Sequence, residues 1–127
     1  MKKRLLSMLL ASAMTMTACG AASASSYQHI SQEKAKEMMD AGNVLILDVR
    51  EQDEYDAGHI PGAVLLPVGS IDEESAAGVI PEKDTTLLVY CRSGSRSKQA
   101  AKALAGLGYT AVYEMGGILT WPYEVER

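Results

Sequence analysis

The run Cys91-Arg92-Ser93-Gly94-Ser95-Arg96-Ser97 puts a thiol, two guanidinium groups, three hydroxyls and a glycine into seven consecutive positions. An apolar stretch, 87–90, precedes it and an alanine-rich stretch, 98–104, follows. The thiol is therefore expected at the tip of a strand, on a loop that opens a helix. A free cysteine titrates near about 8.5, and lowering that by roughly two units takes about 2.7 kcal/mol of preference for the anion. A helix N-terminus supplies about 0.3–2 kcal/mol. Arg92 and Arg96, which keep their charge, are the expected source of the rest. Gly94 allows a positive φ, so that successive N–H groups turn inward around an anion. Ser93, Ser95 and Ser97 can donate hydroxyl bonds, and any of them could cap the helix. An inert cysteine sits in apolar surroundings, which this composition does not offer. The expected chemistry is an exposed, nucleophilic thiolate beside a seat for a small anion.

The elements that must carry this loop alternate along the chain. Ser31 can cap a helix through 33–39 that stops near Gly42. Residues 44–47 form a continuous apolar run, as in a strand buried on both faces of a parallel sheet. A short helix over 51–57 ends at Gly58, and a strand over 63–66 ends at Pro67. A weak helix over 70–77 and a turn at 81–84 come before the strand 87–90. A helix over 97–107, a strand over 111–113 and a last short helix over 118–123 complete the pattern. Strands separated by helices predict an open parallel α/β sheet with helices on both faces. Ligands in such sheets bind beyond the carboxyl ends of the strands, where Cys91 is expected. No strand is followed by Gly-x-Gly-x-x-Gly, so a dinucleotide site has no support.

Three further segments accompany the cysteine loop. They are Asp48-Val49-Arg50-Glu51 with Glu54-Tyr55, then Gly58-His59-Ile60-Pro61-Gly62-Ala63, and finally Gly116-Gly117-Ile118 with Trp121. In this order, with Cys91-Arg92-Ser93-Gly94-Ser95-Arg96, they resemble the single-domain rhodanese (thiosulfate sulfurtransferase-like) family over residues 30–123. The resemblance implies a two-step sulfur transfer. Cys91 takes sulfane sulfur from thiosulfate or a related anionic donor, becomes a persulfide, and passes the sulfur to a thiol or cyanide. It implies donor binding by Arg92, Ser93, Gly94, Ser95 and Arg96, with Asp48 and Arg50 supporting the loops as a strand-end ion pair. No cofactor is implied. A persulfide carrier, or a module that docks a partner through the same thiol, is the alternative. Cdc25-type phosphatases share the fold, but their loop holds one residue more between cysteine and arginine than the four found here. His59 is read as part of a structural turn, Gly116-Gly117 as backbone geometry near the pocket, and Trp121 as core.

The remaining sequence sets the context. Lys2-Lys3-Arg4, the apolar run 5–16 and Thr17-Ala18-Cys19-Gly20 have the form of an export signal. Met16-Thr17-Ala18-Cys19 resembles a bacterial lipobox, with Met16 where leucine is commonest. That predicts a signal peptide over 1–18 and a lipidated, membrane-anchored Cys19. An ordinary cut after Ala24 would instead release a periplasmic or extracellular protein. A flexible tether over 19–29 and one domain over 30–127 follow. Either route leaves Cys91 as the sole free thiol, so no intrachain disulfide is expected. The chain has 12 basic and 16 acidic residues; without Lys2, Lys3 and Arg4 there are 9 basic ones and a net charge of about −7. Such a balance speaks against nucleic-acid partners, and no His or Cys pair stands at metal-ligand spacing.

Overall fold

The computed structural model describes residues 26–127. The signal segment and Cys19 lie outside the described residues. Five parallel strands form one sheet: β1 (Gln28–His29), β2 (Leu45–Asp48), β3 (Val64–Leu65), β4 (Thr86–Cys91) and β5 (Ala111–Gly117), in the order β1-β5-β4-β2-β3. Four α-helices connect them: α1 (Gln32–Ala41), α2 (Gln52–Ala57), α3 (Glu73–Val79) and α4 (Ser95–Gly106). Single 3-10 turns occupy Val68–Ser70 and Ile118–Thr120. This is the expected open parallel α/β sheet covered on both faces.

β4 shows why the sheet is a double-sided core. Side chains alternate between faces along a strand. Leu87, Val89 and Cys91 join one cluster with Leu47, Val112, Tyr109 and the α4 residues Ala100, Ala101 and Leu104. Leu88 and Tyr90 join the other, with Ile46, Ile60, Met115, Trp121 and Ala35 of α1. The central strand is apolar on both sides because both sides are covered. Truncating a fully buried leucine such as Leu88 to alanine costs about 2–5 kcal/mol.

The helix boundaries follow local chemistry. Ser31 Oγ accepts the Lys34 N–H at 3.0 Å and starts α1, which ends at Gly42 with φ 87°. Asp72 and Ser75 cap α3 reciprocally, at 2.8 and 3.0 Å. Those bonds place the weak helix at Glu73–Val79, about three residues later than its sequence suggests, with Val68–Ser70 as a separate 3-10 turn. The final segment is likewise a 3-10 turn of three residues, not a helix over 118–123.

Three other corrections bear on the site. β5 runs to Gly117, four residues past the expected end at 113, because β4 continues to pair with it beyond a bulge between Val89 and Cys91. Gln28–His29 falls in the expected tether, yet it is a strand, in register with Tyr113 and Glu114 at the edge of β5. Finally, α4 begins at Ser95, two residues early, capped by Gly94 at φ 111° and by no serine side chain. The left-handed glycine turns the chain so sharply that only Arg92, Ser93 and Gly94 separate strand from helix.

Candidate active site

The short β4–α4 connection fixes the thiol. Cys91 is the last residue of β4, and the Gly94 N–H points at its Sγ from 3.0 Å. Ser97 Oγ, one turn into α4, lies 3.5 Å from the same sulfur. Burial works against the thiolate, but the backbone N–H groups of Ser97, Gly94 and Ser93, with the Ser97 hydroxyl when its proton faces the sulfur, outweigh it, so the thiol titrates below its ordinary value. A thiol that ionises more easily, ringed by donors at a helix start, can attack an electrophilic sulfur and hold a sulfur anion afterwards. The arginines are not the main source of that shift. Neither guanidinium bonds to Sγ among the described residues. Cys91 itself is only 1% exposed, so the expected exposed thiol is instead a covered one.

The glycines behind the loop explain its compactness. Gly117 pairs with Cys91 across the sheet, and a Cβ on it would lie 2.0 Å from the Arg92 carbonyl oxygen. That oxygen accepts the Leu119 N–H at 3.1 Å. Gly94 is different: a Cβ on it would make only an ordinary contact, 3.6 Å from the Gly116 Cα, and its positive φ of 111° is what calls for glycine. The loop thus lies directly on the end of β5, as the Gly116-Gly117 pair suggests.

The loop's other side chains diverge. Arg92, Ser93 and Ser95 are exposed and Arg96 is half-buried. Arg96 forms a two-pronged bond with Glu54 of α2, at 2.8 and 3.0 Å. Glu54 also receives the Glu51 N–H at the start of that helix, at 3.0 Å. Arg92 has no ion pair among the described residues. It lines a shallow depression of about 410 Å³ with Arg50, Glu54, Ile118, Leu119 and Val125, beyond the carboxyl ends of the strands. A larger cavity of about 540 Å³, between α1 and Trp121, contains no residue of the cysteine loop.

Asp48 and Arg50 form the expected ion pair at the end of β2. Both are buried, with Arg50 Nη2 2.7 Å from Asp48 Oδ2 and Nε 2.9 Å from Oδ1. Burial opposes the Arg50 charge and the bonds to Asp48 outweigh it, leaving the guanidinium more firmly charged than usual. Arg50 Nη2 also donates to the Gly58 carbonyl at 2.8 Å, and the Tyr90 hydroxyl donates to Asp48 at 2.6 Å. The pair therefore ties β2, β4 and the loop after α2 together, while Arg50 borders the depression beside Arg92. His59 stands apart from the thiol: it stacks on Tyr55 at 3.8 Å, and its Nδ1 lies 2.9 Å from the Tyr55 carbonyl.

One group at the site is absent from the sequence expectations. Glu114 of β5 is 0% exposed, on the same sheet face as Cys91. Its Oε2 accepts from Ser97 Oγ at 2.5 Å and from the Gly116 N–H at 2.8 Å, and its Oε1 meets His29 Nδ1 at 2.6 Å. A charged residue two positions before a glycine pair, directly after the apolar run Ala111-Val112-Tyr113, was the only available signal.

A thiol at the carboxyl end of a central parallel strand, cradled by the N–H groups of the following helix, defines a cysteine-loop α/β domain. The Rhodanese-like domain profile matches residues 31–122, and the chain belongs to that family. Among curated relatives, the putative sulfur carrier protein YrkF of Bacillus subtilis is 38% identical over 105 residues, 81% of this chain and 55% of the relative. The thiosulfate sulfurtransferase PspE of Escherichia coli is 39% identical over 72 residues, 57% of this chain and 68% of the relative. The probable adenylyltransferase/sulfurtransferase MoeZ of Mycobacterium tuberculosis is 33% identical over 108 residues, 84% of this chain. The chain thus spans about half the length of YrkF and about a quarter, 27%, of MoeZ. A solved structure of a rhodanese with anions from E. coli superimposes with TM-score 0.61 at 32% identity, covering 65% of this chain and 96% of that one.

Proposed function

We propose that this protein is a sulfurtransferase that moves sulfane sulfur from thiosulfate, or a donor of the same chemistry, to a thiol or cyanide through a persulfide on Cys91. The observation that carries this reading is the Gly94 N–H at 3.0 Å from Cys91 Sγ, at the start of a 12-residue helix. The Cys91 thiolate attacks the outer sulfur of the donor. A new S–S bond forms, the donor S–S bond breaks, and sulfite leaves with the electron pair. The terminal persulfide sulfur keeps a negative charge, which the N–H groups of the loop offset. An acceptor thiolate or cyanide then attacks that sulfur and restores the Cys91 thiolate. Arg92, unpaired among the described residues, and the Arg50 edge of the depression suit the anionic donor, while Ser93 and Ser95 are exposed on the same loop. Relatives named as thiosulfate sulfurtransferases support the same chemistry.

A carrier is the second reading, favoured by the covered thiol and by the relative named as a putative sulfur carrier. Intact-protein mass spectrometry of the chain with thiosulfate tests the shared first step. One added sulfur, absent from Cys91→Ser, is expected; no gain on a fully reduced Cys91 overturns thiosulfate as donor. Rapid turnover with small thiols then marks an enzyme, and transfer confined to one protein marks a carrier. We further propose that the chain is exported and held at a membrane by lipidated Cys19. Cys19→Ser is expected to move it from the membrane fraction to the soluble one.

A further inference from the structure

The Ser97 hydroxyl has one proton and three oxygen acceptors around it: Glu114 Oε2 at 2.5 Å, the Gly94 carbonyl at 3.0 Å and the Gly116 carbonyl at 3.3 Å. The Cys91 thiol, with Sγ at 3.5 Å, donates to the hydroxyl oxygen. The shortest contact is to a fully buried carboxylate, and bonds to an ionised oxygen are the strong ones. While Glu114 is ionised, it claims that proton. Ser97 then presents only lone pairs to Cys91, and a lone pair favours S–H over the thiolate. A thiolate beside an ionised Glu114 would also put two negative charges into one buried site. For Ser97 to donate to a sulfur anion, Glu114 must first carry a proton of its own.

We propose that Glu114 is a positioning residue that sets the proton state of Cys91 through Ser97. As Cys91 ionises, its S–H proton passes to Ser97 Oγ while the Ser97 proton passes to Glu114 Oε2. The site then holds a thiolate and a carboxylic acid in place of a thiol and a carboxylate. One negative charge is present before and after, and Ser97 now donates to sulfur. His29 contacts the other carboxylate oxygen at 2.6 Å, and its side chain is 63% exposed, so it gives the buried acid a route to water. Among the described residues, no other ionisable group competes for this carboxylate. Of the elements packed around it, β1 brings His29 and β4 brings Cys91. Tyr90 is engaged with Asp48, Arg96 with Glu54, and Lys36 with Asp40. Lys98 and Lys102 of α4 and Glu33, Lys34 and Glu37 of α1 are exposed, and Tyr113 alternates to the other sheet face.

For turnover the device rests on Cys91 being the thiol that receives sulfur. There, a protonated Glu114 would leave Ser97 free to steady the persulfide anion. Its test needs no sulfur donor, so the two readings fail separately. The thiolate ultraviolet absorbance of the full chain, as a difference from Cys91→Ser, is followed across pH. Glu114→Gln stands in for the protonated acid, and its neutral oxygen holds the Ser97 proton weakly. It is expected to move the Cys91 titration to lower pH, giving about tenfold more thiolate at a given pH below the midpoint. In a Ser97→Ala background the same change is expected to shift the titration markedly less. A Glu114 that only braces the loop predicts the reverse, because a loosened loop loses N–H donors and the titration moves to higher pH. An unchanged or alkaline-shifted titration in Glu114→Gln overturns the proposal, as does an undiminished shift without Ser97. Should circular dichroism show Glu114→Gln unfolded, infrared difference spectra of the parent chain decide: a protonated-carboxyl band that grows together with the thiolate absorbance supports the relay, and carboxyl bands that stay unchanged as the thiolate forms overturn it.

Discussion

Two fully buried carboxylates flank β4, one on each side, and they are held in opposite ways. Asp48 of β2 has a permanent cation, with Arg50 across two oxygens and the Tyr90 hydroxyl closing the set. Glu114 of β5 has a serine hydroxyl, a backbone N–H and an imidazole, all neutral or able to be so. Asp48 shares a register position with Tyr90, whose side chain joins the α1-side cluster, whereas Glu114 is aligned with Val89 and faces α4 as Cys91 does. Equal burial therefore produces a locked charge on the face away from the thiol and an unlocked one beside it. A guanidinium cannot lose its proton, so the Asp48 side has nothing to switch.

Breaking the locked side is expected to have the largest effect. Arg50→Ala leaves Asp48 as an uncompensated buried charge and removes the bond to the Gly58 carbonyl, at a cost of about 3–5 kcal/mol. Urea unfolding monitored by Trp121 fluorescence measures it. A loss below about 1 kcal/mol, the range of a surface pair, would show that the pair is not locked. Tyr90→Phe sharpens the comparison at intermediate size. The Tyr90 hydroxyl donates to Asp48 and accepts the Ile60 N–H at 3.0 Å, so its removal takes one donor from Asp48 and strands the buried Ile60 N–H, at about 1–3 kcal/mol. Burial and the neighbouring Asp48 hold that hydroxyl protonated well above the usual tyrosine range, so it serves as a fixed donor. Its loss is expected to lower stability while leaving the Cys91 titration where it was, which a thiolate titration of the same variant checks.

The two sides also differed in how far the sequence exposed them. Asp48 and Arg50 are two residues apart at the end of an apolar run, so their pairing could be read locally. Cys91, Gly94 and Ser97 share one turn of chain, and their cluster was equally plain. Glu114 was not. Its partners His29 and Ser97 stand 85 and 17 residues away, and they meet only through β1–β5 pairing and α4 packing. Glutamate and glycine are poor strand formers, so the pattern ends at Tyr113 although β5 runs on to Gly117. The two-residue β1 carries no periodicity of its own. Arg96 teaches a related lesson. Its place in the loop suggests a partner for the thiolate, but the first turn of α4 directs it to Glu54, 42 residues away. Local chemistry marked out the thiol, and the sheet register supplied what surrounds it.

Glu54 is the third acid near the loop and the smallest test of the contrast. Its side chain is about a quarter exposed, and that of Arg96 somewhat more. The Arg96 bond, opposed by partial burial and helped by the Glu51 N–H, lowers its pKa from 4.5 to about 2. A depressed carboxylate contributes stability that is full above 4.5 and fades as pH falls toward about 2. Water screens this pair, so its worth is expected to stay below about 1 kcal/mol. Glu54→Gln should therefore cost little at neutral pH, and the difference from the parent should vanish at the acid end of that window. Its visible effect falls on the donor. With the carboxylate gone, Arg96 offers a free positive charge at the loop, so KM for thiosulfate is expected to fall severalfold, with kcat nearly unchanged. Added salt should erase the gain. A stability loss of several kcal/mol would instead place Glu54 with Asp48 among the locked charges, and an unchanged KM at low salt would remove Arg96 from donor binding.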